Sequence, residues 1–149
     1  MLTFHQAEIA DIEILSDIAI RSKAWWGYDE SLMEIFSASP ILNSQDIKQK
    51  TVIKVCLDDE IIGWYLYTKK DQEVELLEFW MSPEYIGKGY GGKMFQHLGN
   101  QVKQEGIHSI VLEADPNAAP FYEHMGCKII GQTWTEFQRF IPRMRCSIT

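Results

Sequence analysis

No apolar run in this chain approaches the ~18 residues that a membrane-spanning helix needs. The first residues also lack the basic-then-apolar pattern of a secretory leader. A cytoplasmic location and no membrane partner are the expectations that follow. Cysteine is scarce. Cys56, Cys127 and Cys146 are odd in number and share no ligand spacing, which excludes a disulfide framework and gives no zinc pattern. No metal is expected, and none of the three lies in a nucleophile motif. Positive charge is in deficit too: Lys and Arg number 14 against 21 Asp and Glu, a net charge of −7. The clustered cations that grip nucleic-acid phosphates are therefore missing, and no nucleic-acid partner is expected. Internal repeats, low-complexity tracts and Pro/Gly linkers are absent as well.

What is present suits one compact domain over residues 1–149. Hydrophobic residues make up 46 % and charged residues 23 % of the 149, enough apolar material for a core and too much for wholesale disorder. Leu2–Gln6 reads as a strand. Asp11 then stands where a helix cap belongs, and Ile14, Leu15 and Ile18 make an apolar stripe on a helix running to about Ala24. A second short helix is expected from Asp29 to Phe36, and a third around 43–50. Thr51–Leu57, Ile61–Tyr67 and Val74–Met81 read as strands joined at Asp58-Asp59 and Lys69-Lys70-Asp71, and such short turns make them antiparallel. An amphipathic helix carrying Met94, Phe95, Leu98 and Val102 closes at Gly106. Ile107–Glu113 follows as a strand parallel to its predecessor, because a crossover helix joins them. A short helix over Ala118–Met125 and a hairpin of Lys128–Gln132 with Phe137–Ile141 around Trp134 complete the pattern.

The most informative stretch is Met81-Ser-Pro-Glu-Tyr-Ile-Gly-Lys-Gly-Tyr-Gly-Gly-Lys93. Gly87, Gly89, Gly91 and Gly92 sit where a strand hands over to a helix. Without Cβ atoms the backbone N–H groups there can approach one ligand, with the positive end of the helix dipole behind them. That describes a phosphate or pyrophosphate site. Three donors of phosphate compete. Gly87, Gly89 and Gly92 fit G-x-G-x-x-G, but a dinucleotide fold needs a βαβαβ half after the motif, and the 57 residues past Gly92 do not supply one. Gly87 to Lys93 fits a P-loop except that Met94 replaces the Ser or Thr that holds magnesium. Acyl-coenzyme A needs backbone amides and no metal.

The third reading is carried by a resemblance. Pro83-Glu-Tyr-Ile-Gly-Lys-Gly-Tyr-Gly91 resembles the coenzyme A loop of the GNAT superfamily of N-acetyltransferases, written Q/R-x-x-G-x-G/A. Asp115-Pro-Asn-Ala-Ala-Pro-Phe-Tyr-Glu-His-Met-Gly-Cys127 resembles that family's later segment, with an Asn before an Ala-rich turn, a Tyr and a Gly. The two blocks stand in the family's order over roughly Val74 to Ile130. Ile86 departs from the pattern, since Arg or Gln is usual there. Lys88 and Lys93 put cations beside the loop in its place.

The resemblance implies an α+β fold with a mixed, mostly antiparallel sheet of six to seven strands, about four flanking helices, and a splayed parallel strand pair at the centre. It implies acetyl-CoA as co-substrate and direct transfer of the acetyl group to a primary amine of a small molecule or peptide. A non-catalytic coenzyme A-binding module of the same fold is the alternative, and a homodimer is compatible with either. Carried over residue by residue, Gly87, Lys88, Gly89, Tyr90, Gly91 and Gly92 hold the pyrophosphate. The strand edge Trp80–Met81 pairs with the pantetheine arm, and Asn117 faces it. Tyr122 stands where the family has its general acid.

For the base, Glu78 is singled out because it interrupts an apolar strand, where desolvation raises a carboxylate's proton affinity. Glu75, Glu113 or a water chain are its rivals. On the acceptor side, Trp25, Trp26 and Tyr28 offer ring faces that attract ammonium by about 0.5–2 kcal/mol, and the acidic net charge suits a cationic amine.

Overall fold

The computed structural model describes residues 1–31, 33–34, 41–135 and 139–148. Its strands are β1 (Leu2–Gln6), β2 (Thr51–Leu57), β3 (Glu60–Lys70), β4 (Glu73–Met81), β5 (Ser109–Glu113), β6 (Lys128–Trp134) and β7 (Phe140–Ser147). The helices are α1 (Ile12–Trp25), α2 (Ser44–Gln49), α3 (Tyr90–Gln104) and α4 (Ala119–His124). The strands form one seven-stranded sheet in the order β1-β2-β3-β4-β5-β7-β6. Among the described residues only β4 and β5 run parallel; their ladder pairs Val74 with Ile110, Glu75 with Val111 and Leu76 with Leu112, and β4 continues past it to Met81. The expected fold class is therefore the observed one.

The described residues gather into two compact units, one of residues 1–66 and 78–91 and one of 67–77 and 92–149. In the first, β1 lies antiparallel to β2, from Leu2 opposite Leu57 to Gln6 opposite Ile53. Two-residue connections join β2 to β3 and β3 to β4. Asp58 and Asp71 take φ of +56° and +59° there, a conformation that a short carboxylate side chain tolerates better than most.

Along α1 the buried positions are Leu15, Ile18, Ala19, Ser22 and Lys23, one stripe at i, i+3, i+4, i+7 and i+8. Ile14, expected on that stripe, is half exposed. The α1 stripe packs into a core with Leu42, Val52, Trp64 and Leu66. The indole N–H of Trp64 is satisfied by the Leu15 carbonyl at 2.8 Å.

One sequence expectation changes here. Asp11 does not cap α1 with its side chain. Its carboxylate accepts from the Glu8 amide and from Lys54 Nζ, both at 2.8 Å, closing a one-turn 3-10 helix over Ile9–Asp11. The helix expected around 43–50 is α2, opened by Asn43 and Asp46, each of which accepts from the other's backbone N–H. The Met33 amide donates to the Asp29 carbonyl, as a helix from Asp29 requires; Leu32, Ile35 and Phe36 of that expected helix lie outside the described residues.

In the second unit α3 buries Met94, Phe95, Leu98, Gly99 and Val102. The Gly106 N–H reaches the Lys103 carbonyl and the Ile107 N–H reaches that of Val102, the paired bonds that end a helix on a left-handed residue. The strand expected over Ile107–Glu113 begins at Ser109.

The closing hairpin differs from expectation. Its second strand is β7, Phe140–Ser147, not Phe137–Ile141, and it lies between β5 and β6; Phe137 lies outside the described residues. Pro142 has no N–H for a ladder, yet it sits opposite Gln132 while its carbonyl accepts from the Ala114 amide. Just past the Lys128–Arg145 pair of the β6–β7 ladder, Cys127 and Cys146 meet as buried thiols, and their mutual hydrogen bond with burial holds the Cys127 thiol undissociated.

Candidate active site

The glycine turn is built by the first unit. From Met81, the end of β4, the chain passes through Ser82, whose amide donates to the Ile62 carbonyl at 2.7 Å. A 3-10 turn over Pro83–Tyr85 follows. Arg21 on α1 fastens this approach: its guanidinium donates to Glu84 at 2.9 and 3.2 Å and to the Ser82 hydroxyl at 3.1 Å. Gly87 and Gly89 then take φ of +83° and +85°, which side-chain-bearing residues rarely adopt. A Cβ built at either would meet nothing within 4 Å, so this side of the turn is open to a ligand.

The turn runs straight into α3 at Tyr90. A helix start leaves its first amides without intrahelical acceptors and carries the positive end of the dipole, so the geometry fits an anionic phosphate group. Lys88 lies exposed with its ammonium 5.8 Å from the Tyr85 ring centroid, and Tyr85 meets Tyr90 edge-on at 6.0 Å. Ile86 is half-buried. Met94, at the position where a P-loop needs a hydroxyl, is wholly buried in α3.

Beyond the turn, the first unit gathers a polar cluster on β4. Period-two alternation puts Glu78 and Trp80 on one face of the strand. The Trp80 indole N–H donates to the Glu78 carboxylate at 2.8 Å, and Lys23 places its ammonium 5.1 Å from the Trp80 ring centroid. Burial pushes the proton affinity of Glu78 up, while the Trp80 hydrogen bond and the Lys23 charge pull against it. Lys23 is pushed the other way, below the usual lysine range, by burial, with Glu78 opposing the shift.

Sequence reasoning missed Lys23. The signal was its place at i+8 on the buried stripe of α1, where a cation needs a partner. Trp25 and Trp26 end the same helix, 53 % and 37 % exposed and edge-to-face at 4.8 Å. Tyr28 follows, half-buried, its amide on the Lys23 carbonyl at 3.4 Å.

The second unit carries the remaining residues. A Cβ at Gly92 would touch Met125 Sδ at 3.9 Å, an ordinary contact. Asn117 is exposed, in a turn fixed by its amide donating to Asp115 Oδ1 at 2.8 Å. Tyr122 is buried on α4 with its ring 5.3 Å from Phe121 and 6.0 Å from Phe95. Glu75 and Glu113 share Arg143, at 3.3 and 3.6 Å. Among the described residues no three His, Cys, Asp or Glu side chains are grouped so as to hold a metal ion, and no helix is long and apolar enough to cross a membrane. An open cleft bordered by His5 on β1, Lys54 and Cys56 on β2 and Asp59 in the turn after β2 contains none of these residues.

The sequence model of the acetyltransferase (GNAT) family matches residues 14–127. This chain belongs to that family. Its glycine turn, α3, Asn117 and Tyr122 all fall within the matched span.

An uncharacterized acetyltransferase of Streptococcus pyogenes is 28 % identical over 90 residues, covering 58 % of this chain and 61 % of the relative. The chain spans between half and about three-fifths of the length of the curated relatives it matches. Among solved structures, the PaiA N-acetyltransferase of Thermoplasma acidophilum in complex with coenzyme A superposes with a TM-score of 0.81 at 21 % identity, over 99 % of both chains. YncA, a putative acetyltransferase of Salmonella typhimurium solved with acetyl-CoA, gives 0.70 at 16 % identity over 100 % of this chain and 95 % of its own. At such identities the superpositions establish the GNAT fold.

Proposed function

We propose that this GNAT protein is an acetyl-CoA-dependent N-acetyltransferase of one domain that acts on a primary amine of a small molecule or peptide. The observation that carries the reading is the open glycine turn, Gly87 and Gly89 at positive φ leading into α3. Backbone amides from Gly87 to Gly92 hold the pyrophosphate, and the backbone of Trp80–Met81 takes the pantetheine arm with Asn117 alongside. Trp25, Trp26 and Tyr28 receive the acceptor.

The chemistry needs three proton transfers. An ammonium must lose a proton before its lone pair can attack the thioester carbonyl, and the C–S bond then breaks to release a thiolate that must be protonated. Glu78 takes the first proton, through water. Its half-buried carboxylate has the raised proton affinity that a base near neutrality needs, whereas Glu75 and Glu113 are engaged with Arg143. Tyr122 supplies the second. A phenol's reference pKa near 10 lies a little above that of a thiol, so the transfer is close to balanced. Loss of the second amine proton completes the amide.

Tyr122→Phe tests this assignment. It keeps the ring among Phe95 and Phe121 and removes only the hydroxyl. Acetyl-CoA affinity should stay, while kcat falls by about 10²-fold or more. A native rate with a good acceptor would show that the hydroxyl is structural and the thiolate leaves unaided.

A further inference from the structure

Glu78 does not stand alone in the first unit. Its carboxylate accepts from the Trp80 indole at 2.8 Å, and the same indole presents its ring face to the Lys23 ammonium, 5.1 Å from the centroid. One aromatic side chain thus holds a carboxylate at its edge and a cation over its face, which matches the positive-edge, negative-face charge distribution of the ring. From elsewhere in the first unit, Asp46 of α2 and Lys50 just after that helix also act on Glu78. Those two are paired with each other at 2.9 Å, so their charges largely cancel at Glu78. Lys23 of α1 is then the cation whose charge is left to act on it.

The geometry points to Lys23 and Trp80 as positioning residues that fix the Glu78 carboxylate and keep it ionised for taking the acceptor's proton. The inference rests on Glu78 being the base. Burial alone drives a carboxyl toward its neutral form, in which it cannot accept a proton. The Trp80 N–H and the Lys23 charge oppose that drift, and both favour the ionised form. The N–H also selects one carboxylate orientation. Lys23 does this from the buried stripe of α1, where its own desolvation keeps its charge from being screened by water.

The test reads Glu78 directly. Carboxyl ¹³C NMR follows its titration in the whole protein, and the acidic limb of kcat/KM against pH follows its role. Lys23→Met and Trp80→Phe should each move both upward by about one pH unit, the low end of what an adjacent opposite charge or a hydrogen bond supplies. Lys23→Arg should restore both. In a Glu78→Gln background, Lys23→Met should leave the remaining profile where it is. Should Lys23→Met fail to fold, Trp80→Phe carries the test, because it keeps an aromatic face and deletes the donor. A folded Lys23→Met or Trp80→Phe protein with an unmoved Glu78 titration overturns the inference, provided Glu78→Gln does lose the acidic limb. A native profile in Glu78→Gln overturns the base assignment itself, and the inference with it.

Discussion

Gly89→Val separates what the glycine turn does for folding from what it does for binding. At φ +85° a side chain is strained even though the Cβ would meet nothing within 4 Å. A left-handed conformation costs a residue with a side chain about 1–2 kcal/mol, and valine, branched at Cβ, sits at or above the top of that range. With no overlap against the rest of the protein, this strain sets the stability loss at about 2 kcal/mol, and the melting temperature should fall by roughly 4–8 °C. Binding is hit harder. Each backbone amide on a phosphate oxygen is a charge-assisted hydrogen bond worth about 1.5–3 kcal/mol. Displacing two of them with isopropyl bulk should weaken acetyl-CoA by about 10²- to 10⁴-fold.

Titration calorimetry with acetyl-CoA, run beside thermal melts of the same samples, reads both quantities. Gly131→Ala is the control: a Cβ there is also in open space, but on β6 with ordinary φ, so neither affinity nor melting should change. A folded Gly89→Val protein with native acetyl-CoA affinity would refute the reasoning that the turn cradles the pyrophosphate.

Two further predictions concern pH. Glu78→Gln should raise stability at pH 7 to 8 relative to pH 4, because a carboxyl with raised folded pKa makes the native state lose stability as pH climbs from the unfolded value through the folded one; denaturant melts across that range check it, and an unchanged difference contradicts it. Asp11→Ala should destabilise by about 1–2 kcal/mol near neutrality. Although burial alone would raise the Asp11 carboxyl, the bonds from Lys54 and the Glu8 amide outweigh it and hold it below its usual range. The deficit should therefore fade as pH falls below the usual aspartate range, and one that does not shrink on acidification would assign the loss to packing.

The parts of the fold that were legible in the sequence are those written in local chemistry. The three central strands are separated by two-residue turns whose Asp58 and Asp71 accept positive φ. Helix α3 follows from its apolar spacing and from Gly106. The second half of the last hairpin was not legible, because Pro142 reads as a strand end and becomes a strand member only once Ala114 uses its carbonyl. With that pairing in place, Met144 and Cys146 turn inward and Arg145 outward, an alternation obvious only afterwards. In the candidate site, the glycine turn and Glu78 were readable because each breaks a pattern within a few residues. Lys23 and Arg21 were not. Their partners, Glu78 with Trp80 and Glu84 with Ser82, lie far along the chain, and only tertiary packing brings them to α1.

The most direct measurement of the whole account mixes the purified protein with acetyl-CoA and, one at a time, polyamines, amino acids, aminoglycosides and peptides with free N-termini, following thiol release and the mass of each amine. The account predicts release that depends on an amine, with one N-acetylated product molecule for each free coenzyme A. Tight acetyl-CoA binding with no acetylated product from any of these amines would contradict it and leave a coenzyme A-binding module.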